Sequence, residues 1–179
     1  MEPMDRFLLR PLDDVLVAEG LLTRERADDL VASAKAAGEP FSTVLIESGV
    51  ITAWDLAKLV STKYQMPVHP LAGYRLDKDL LEGIPNSFMH RHRVLPVGRF
   101  GRTRTFAVVE PPDRAVIDEL QAACGASLHF FVSEEPEISR VLRDSVKVVD
   151  TARDTTWQKL FDSAEQEIER EITIRKTKV

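Results

Sequence analysis

Apolar residues in the first third of the chain recur at helical spacing, and the pattern is written twice, 29 residues apart. Pro11-Leu12-Asp13-Asp14-Val15-Leu16-Val17-Ala18-Glu19-Gly20-Leu21-Leu22-Thr23 is echoed by Pro40-Phe41-Ser42-Thr43-Val44-Leu45-Ile46-Glu47-Ser48-Gly49-Val50-Ile51-Thr52. In the first copy Leu12, Val15, Leu16 and Glu19 share one helical face, and Gly20 stops the short helix where left-handed backbone is least costly. Thr23 and Thr52 follow as N-caps of a second helix, and Asp55, three residues after Thr52, makes that start resemble a capping box. Ala27, Leu30, Val31 and Ala34 then form the inner face of one second helix, and Leu56, Leu59, Val60 and Lys63 that of the other. The two copies, 11–34 and 40–63, thus predict a four-helix unit over residues 8–64. Such a pair has internal pseudo-symmetry, with either one shared core or two equivalent ligand surfaces.

Met66-Pro67-Val68-His69-Pro70-Leu71 cannot prolong the last helix, because its two prolines lack N–H donors and force their neighbours into extended geometry. Residues 65–76 read as a linker, with short helices starting near Asp77 and near Pro85, so that 65–92 joins two larger units. From Arg93 the period changes to two. Val94–Gly98 reads as a strand, Arg99-Phe100-Gly101-Arg102 as a turn and Thr103–Val109 as a second strand, with Pro96 favouring an edge position. A helix from Asp113 to Cys124, closed by Gly125, leads to a third strand, Leu128–Val132, and a helix capped by Ser133 that runs through Val146. Residues 93–146 are therefore expected as a small β-β-α-β-α sheet domain whose second and third strands are parallel. Beyond it, 150–179 reads as an amphipathic helix with an apolar stripe of Trp157, Leu160, Phe161, Ala164 and Ile168. That stripe needs cover, from its own domain, a second copy or another protein. The fold class is α+β: a four-helix tandem-repeat unit, a small sheet domain and a C-terminal helix.

Composition narrows the function. The chain has 179 residues and a net charge of −5, which argues against a nucleic-acid binder. The single cysteine, Cys124, leaves no disulfide framework and points to a reducing cytoplasm; it is expected to pack as a small buried hydrophobe. No apolar run is long enough to cross a bilayer, and charge interrupts the N-terminus before a signal peptide develops, so membrane association is expected only through a partner. His90-Arg91-His92-Arg93 with Arg99, Arg102 and Arg104 is the one basic concentration, expected at one end of the sheet. His90 and His92 have no third ligand in view, so no metal site is assigned. Glu134 and Glu135 complement the dipole of the last helix of the sheet domain.

Repeats of the form Leu-x-x-x-Leu-x-x-x-Gly-Leu-Ile-Thr, followed by Val94-Leu95-Pro96-Val97-Gly98, Phe106-Ala107-Val108-Val109-Glu110-Pro111-Pro112-Asp113 and a helix ending in Cys124-Gly125, resemble a known family. The chain over residues 8–146 is similar to the N-terminal domain of type II secretion and type IV pilus assembly ATPases, the GspE N-terminal or MshEN domain. The resemblance implies a domain that precedes a hexameric ATPase core and in some members binds cyclic di-GMP through the paired repeats. No glycine here opens a Gly-x-x-x-x-Gly-Lys-Ser/Thr phosphate loop, so no catalytic residue is assigned and no enzyme is expected. The binding pattern of the family starts each repeat with Arg-Leu-Gly and ends it with Gln. Those positions hold Pro11 and Pro40, Asp13 and Ser42, and Ala34 and Lys63, with Arg10 one residue early. Asp13 would repel a phosphate, so loss of nucleotide binding is the leading expectation, with Arg10, Leu12, Asp13, Leu16, Phe41, Ser42, Leu45 and Lys63 as the residues of a surviving cyclic di-GMP site. The resemblance implies a cytoplasmic, non-catalytic module that docks on a secretion, pilus or signalling component. The alternatives are a cyclic di-GMP sensor or the N-terminal fragment of a longer secretion ATPase.

Overall fold

The computed structural model describes residues 10–147, which form one compact unit. The predicted C-terminal helix, with Trp157, Leu160, Phe161, Ala164 and Ile168, lies outside the described residues.

The repeats form four helices, α1 (Leu12–Ala18), α2 (Arg24–Ala37), α3 (Phe41–Glu47) and α4 (Ala53–Tyr64). The second helix of each pair starts as the threonines dictate. Thr23 Oγ1 accepts from Arg26 N–H at 3.2 Å and Thr52 Oγ1 from Asp55 N–H at 3.1 Å, while the Thr52 hydroxyl donates to the Asp55 carboxylate at 2.7 Å. The first helix of each pair ends before a glycine, Gly20 at φ +71° and Gly49 at φ +72°, which reverses the chain at the same point of both copies. Leu16 and Leu45 occupy equivalent positions and are both fully buried.

The inner face of α4 is Leu56, Ala57, Val60 and Tyr64, not Leu56, Leu59, Val60 and Lys63. The apolar stripe drifts by one residue at its end, because the Tyr64 ring seats inside while Lys63 turns out to meet Glu19 at 2.5 Å. Glu19 is likewise outside: α1 stops at Ala18, and Glu19 is its exposed C-cap.

Residues 65–76 are not a free linker. Val68 bridges Val132 in parallel, His69 N–H donates to Val132 O at 2.8 Å, and Val132 N–H donates to Pro67 O at 3.0 Å. Met66 and Leu71 are buried, and the Leu71 backbone is held on both sides, its N–H by Glu137 at 2.9 Å and its carbonyl by Arg140 at 2.9 Å. The prolines keep this strap extended, and its apolar residues seat it on the sheet. A 3-10 turn at Lys78–Leu81 and α5 (Asn86–His92) follow, as expected from Asp77 and Pro85.

The sheet has the order β1-β2-β3, with β1 Leu95–Phe100, β2 Thr103–Val108 and β3 Ser127–Val132. β1 and β2 are antiparallel with a bulge between Pro96 and Gly98. Arg99 and Phe100 belong to the strand rather than to the turn, which shrinks to Gly101-Arg102. β2 and β3 are parallel, joined through α6 (Arg114–Cys124), which Asp113 caps at Val116 N–H and Gly125 ends. α7 spans Glu135–Ser145. Ser133 does not cap it: the Ser133 hydroxyl donates to His69 O at 2.5 Å and fastens the strap instead. One apolar core runs from Leu16 and Leu45 through Tyr64, Met89 and Leu95 to Phe106, Leu120 and Leu142. The described repeats, the 65–92 segment and the sheet share this one core.

Candidate functional site

α3 opens with Pro40 as its N-cap, a residue with no side-chain oxygen, so the first N–H groups of the helix must find an acceptor elsewhere. Glu110, in the connection between β2 and α6, supplies it: its carboxylate accepts from Ser42 N–H at 2.7 Å across 68 residues of sequence. The carboxyl is closely surrounded although the residue keeps some surface, and loss of water pushes its pKa above the ordinary carboxylate value, against the downward pull of the Ser42 and Phe41 N–H groups. Beside it the Ser42 and Thr43 side chains are buried, and neither hydroxyl finds a hydrogen-bond partner of normal geometry.

A cleft of about 400 Å³ opens next to this contact. Val31 and Ala34 of α2, Phe41 of α3, Val94, Val108 and Val116 give it an apolar floor; Lys35, Arg91 and His92 stand against Glu110 and Asp113 at its polar edge. His92 lies 4.6 Å from the Phe88 ring, and burial lowers its pKa, so at neutral pH it is an uncharged wall. At the end of α4, the Tyr64 hydroxyl donates to Arg10 O at 2.8 Å. Its pKa is pushed up to about 12, first by burial and then by the charge of Asp13, with Glu110 adding to the rise and Arg10 opposing it. Arg10, Asp13, Tyr64 and Glu110 thus share one electrostatic neighbourhood.

The residues singled out for a nucleotide fall into two groups. Leu12, Leu16 and Leu45 are core, and Phe41 lines the cleft. The polar members are already engaged: Asp13 pairs with Arg24 at 3.0 Å, Lys63 with Glu19 at 2.5 Å, and Ser42 gives its N–H to Glu110. Arg10 is exposed. Sequence reasoning missed Glu110, Tyr64, Lys35 and Arg91 as members of this neighbourhood; the signal for Glu110 was a carboxylate in an otherwise apolar Val108-Val109-Glu110-Pro111-Pro112 run.

The expected basic cluster is broken up. Arg93 ties Glu39 (3.0 Å) to Glu135 (3.3 Å) and also donates to His90 O. Arg104 is buried and donates to Glu82 O at 2.8 Å and to Cys124 Sγ at 3.3 Å, so Cys124 is a half-buried polar contact rather than an enclosed hydrophobe. His90 is held against Val146 O at 2.7 Å. Arg91, Arg99 and Arg102 stay exposed. Among the described residues no cluster of His, Cys, Asp or Glu could hold a metal ion, and no helix is long and apolar enough to cross a membrane.

Among known proteins, the MshEN domain family matches residues 64–148 of the chain. This stretch is similar to an MshEN domain. The match begins at the last residue of α4 and takes in the strap, α5, the sheet and α7, so Glu110 and one wall of the cleft fall within it, while the tandem repeats precede it. The chain is also similar to the type IV pilus assembly ATPase PilB of Myxococcus xanthus (strain DK1622), 24% identical over 131 residues, which cover 73% of the chain and 23% of PilB. It therefore spans about a quarter of the length of that relative. Among solved structures it matches the structure of MshE with cdg (TM-score 0.54, 23% identity, 75% of this chain and 98% of that one) and the N-terminal domain of XpsE (TM-score 0.56, 19% identity, 80% and 95%). At these identities the two structures speak for a common fold. The findings together support the resemblance to the N-terminal domain of type II secretion and type IV pilus assembly ATPases.

Proposed function

We propose that the MshEN domain and its repeats form a non-catalytic regulatory module that docks on a protein component of a secretion, pilus or signalling system. The observation that carries this reading is the internal use of the polar residues at the nucleotide-binding positions: Asp13 on Arg24, Lys63 on Glu19, and the Ser42 N–H on Glu110. A dianionic ligand would have to break these contacts and face Asp13 and Glu110, both acids. In this reading the C-terminal stripe of Trp157, Leu160, Phe161, Ala164 and Ile168 meets the partner or a second copy, and the module works in the cytoplasm, held at the inner membrane through that partner. Isothermal titration calorimetry with cyclic di-GMP tests it, the expected result being no saturable heat at micromolar protein.

A second reading, a cyclic di-GMP sensor, is favoured by the cleft beside α3 and by the fold shared with MshE, whose structure contains cdg. Under it Lys63 leaves Glu19 and the exposed Arg10 side chain turns to the ligand on binding. Micromolar affinity that falls on substitution of either residue by alanine would replace the first reading by this one.

A further inference from the structure

The most exposed large apolar side chain among the described residues is Phe100, 86% accessible, at the end of β1. The turn beyond it has only two residues, Gly101 and Arg102, with Gly101 in the left-handed region at φ +56°, so the hairpin ends abruptly and Phe100 projects from its tip. Arg99 and Arg102 flank it, both exposed and neither paired with an acid among the described residues. From Arg99 to Arg104 the chain carries three arginines and no acid. Arg104 is consumed inside by Glu82 O and Cys124, and the 3-10 turn that packs on β1 sets Lys78 against Asp79 and its N-cap Asp77, one acid in excess against the two free arginines of the tip. The tip is thus a local positive site on a chain of net charge −5.

We infer that Arg99, Phe100 and Arg102 form a shallow anchor for an anionic lipid surface, the ring entering the headgroup boundary and the two guanidiniums meeting phosphates. A protein partner fits this tip less well. Phe100 pairs in register with Thr103, and Thr103 with Ser127, so the same face of the sheet beside the ring is small and polar and offers no apolar patch for a packed interface core. A lone aromatic flanked by cations is instead what a bilayer boundary accepts, because the ring needs no shaped pocket and the arginines find phosphate at any rotation. The contact is weak by design: each basic residue near an anionic leaflet contributes about fivefold in partitioning, and the tip supplies two of them on a chain of net charge −5. One such tip gives reversible, oriented contact and would set how the module lies on a membrane once a partner holds it there.

The test uses the full 179-residue chain with vesicles of phosphatidylcholine alone or mixed with phosphatidylglycerol. Co-sedimentation is expected with the anionic vesicles alone, to fall about fivefold for Arg99→Gln and for Arg102→Gln, and to weaken with added salt. Phe100→Trp is expected to fold as the parent does, by circular dichroism, and to show quenching by brominated anionic lipid beyond that of the parent's own tryptophans. Equal binding to neutral vesicles, or anionic binding unchanged by the two arginine substitutions, would overturn the inference. Absence of extra quenching in Phe100→Trp, with the chain binding soluble polyglutamate as well as it binds vesicles, would also overturn it and assign the tip to an acidic protein.

Discussion

Glu110→Gln removes a charge from beneath α3 while keeping an oxygen in place to accept the Ser42 N–H. The parent carboxyl has a pKa raised above its ordinary 4.5, chiefly by loss of water. The folded state therefore holds the Glu110 proton more tightly than the unfolded chain does. The resulting contribution to stability is fully present below about pH 4.5 and is lost as pH rises through the raised value, so at neutral pH the fold carries the cost of an enclosed carboxylate. The cleft lets water reach one side, and the N–H contacts offset part of the cost, so glutamine is expected to gain only about 1 kcal/mol at pH 7.5. For a domain of this size that is about 2–4 °C in melting temperature. Glu110→Ala is expected to do the reverse at every pH, losing about 1–3 kcal/mol by leaving the Ser42 N–H without an acceptor. Urea unfolding of the parent and both variants from pH 4 to 8 measures this, and the advantage of glutamine should shrink as pH falls toward 4.5. If the parent were instead the more stable at pH 7.5, with the gap closing on acidification, the carboxylate charge would be holding α3 and the burial argument would fail.

Gly83 sits at φ +81°, and a Cβ there would lie 2.8 Å from Ala123 O, so Gly83→Ala is expected to cost at least about 2 kcal/mol in thermal or urea unfolding. Leu16→Ala and Leu45→Ala open cavities at equivalent, fully buried positions, and each is expected to lose about 2–5 kcal/mol in the same measurement. Thr43→Val replaces a buried hydroxyl that lacks a partner by a methyl of similar shape, and is expected to leave stability unchanged or raise it by about 1 kcal/mol.

Local signals in the sequence carried most of the elements. Thr23, Thr52 and Asp113 each bond the N–H three residues on, and the change of apolar period at Arg93 marks where helices give way to the sheet. What local pattern could not carry were contacts made across many residues. The prolines at 67 and 70 rule out helix, but extended backbone serves equally as linker or as strand, and only Val132, far along the chain, decides between them. Ser133 precedes a helix as a cap would, yet a carbonyl on the strap competes for its hydroxyl and wins. The arginines near 93–104 read as one cluster because sequence lists their charges and not their acceptors: Glu39, Glu135 and Glu82 O take two of them out of solvent. Glu110 was invisible as a cap for α3 for the same reason, being 68 residues away. At the candidate site the sequence named Phe41, which lines the cleft, and Ser42, and missed the acid that already accepts the Ser42 N–H.

The strap at residues 67–69 has a further consequence in time. Its carbonyl at His69 waits for a hydroxyl 64 residues downstream. At a synthesis rate of about 5–20 residues per second, that interval is roughly 3–13 s during which the repeats exist without the sheet. Through it Leu71 has neither Glu137 nor Arg140 to hold its backbone, and α3 has no acid at its head. A nascent chain arrested anywhere before Arg140 is therefore a half-closed body with Met66 and Leu71 open to chaperones and proteases, and the repeats acquire their final footing only when the last helix of the domain has left the ribosome.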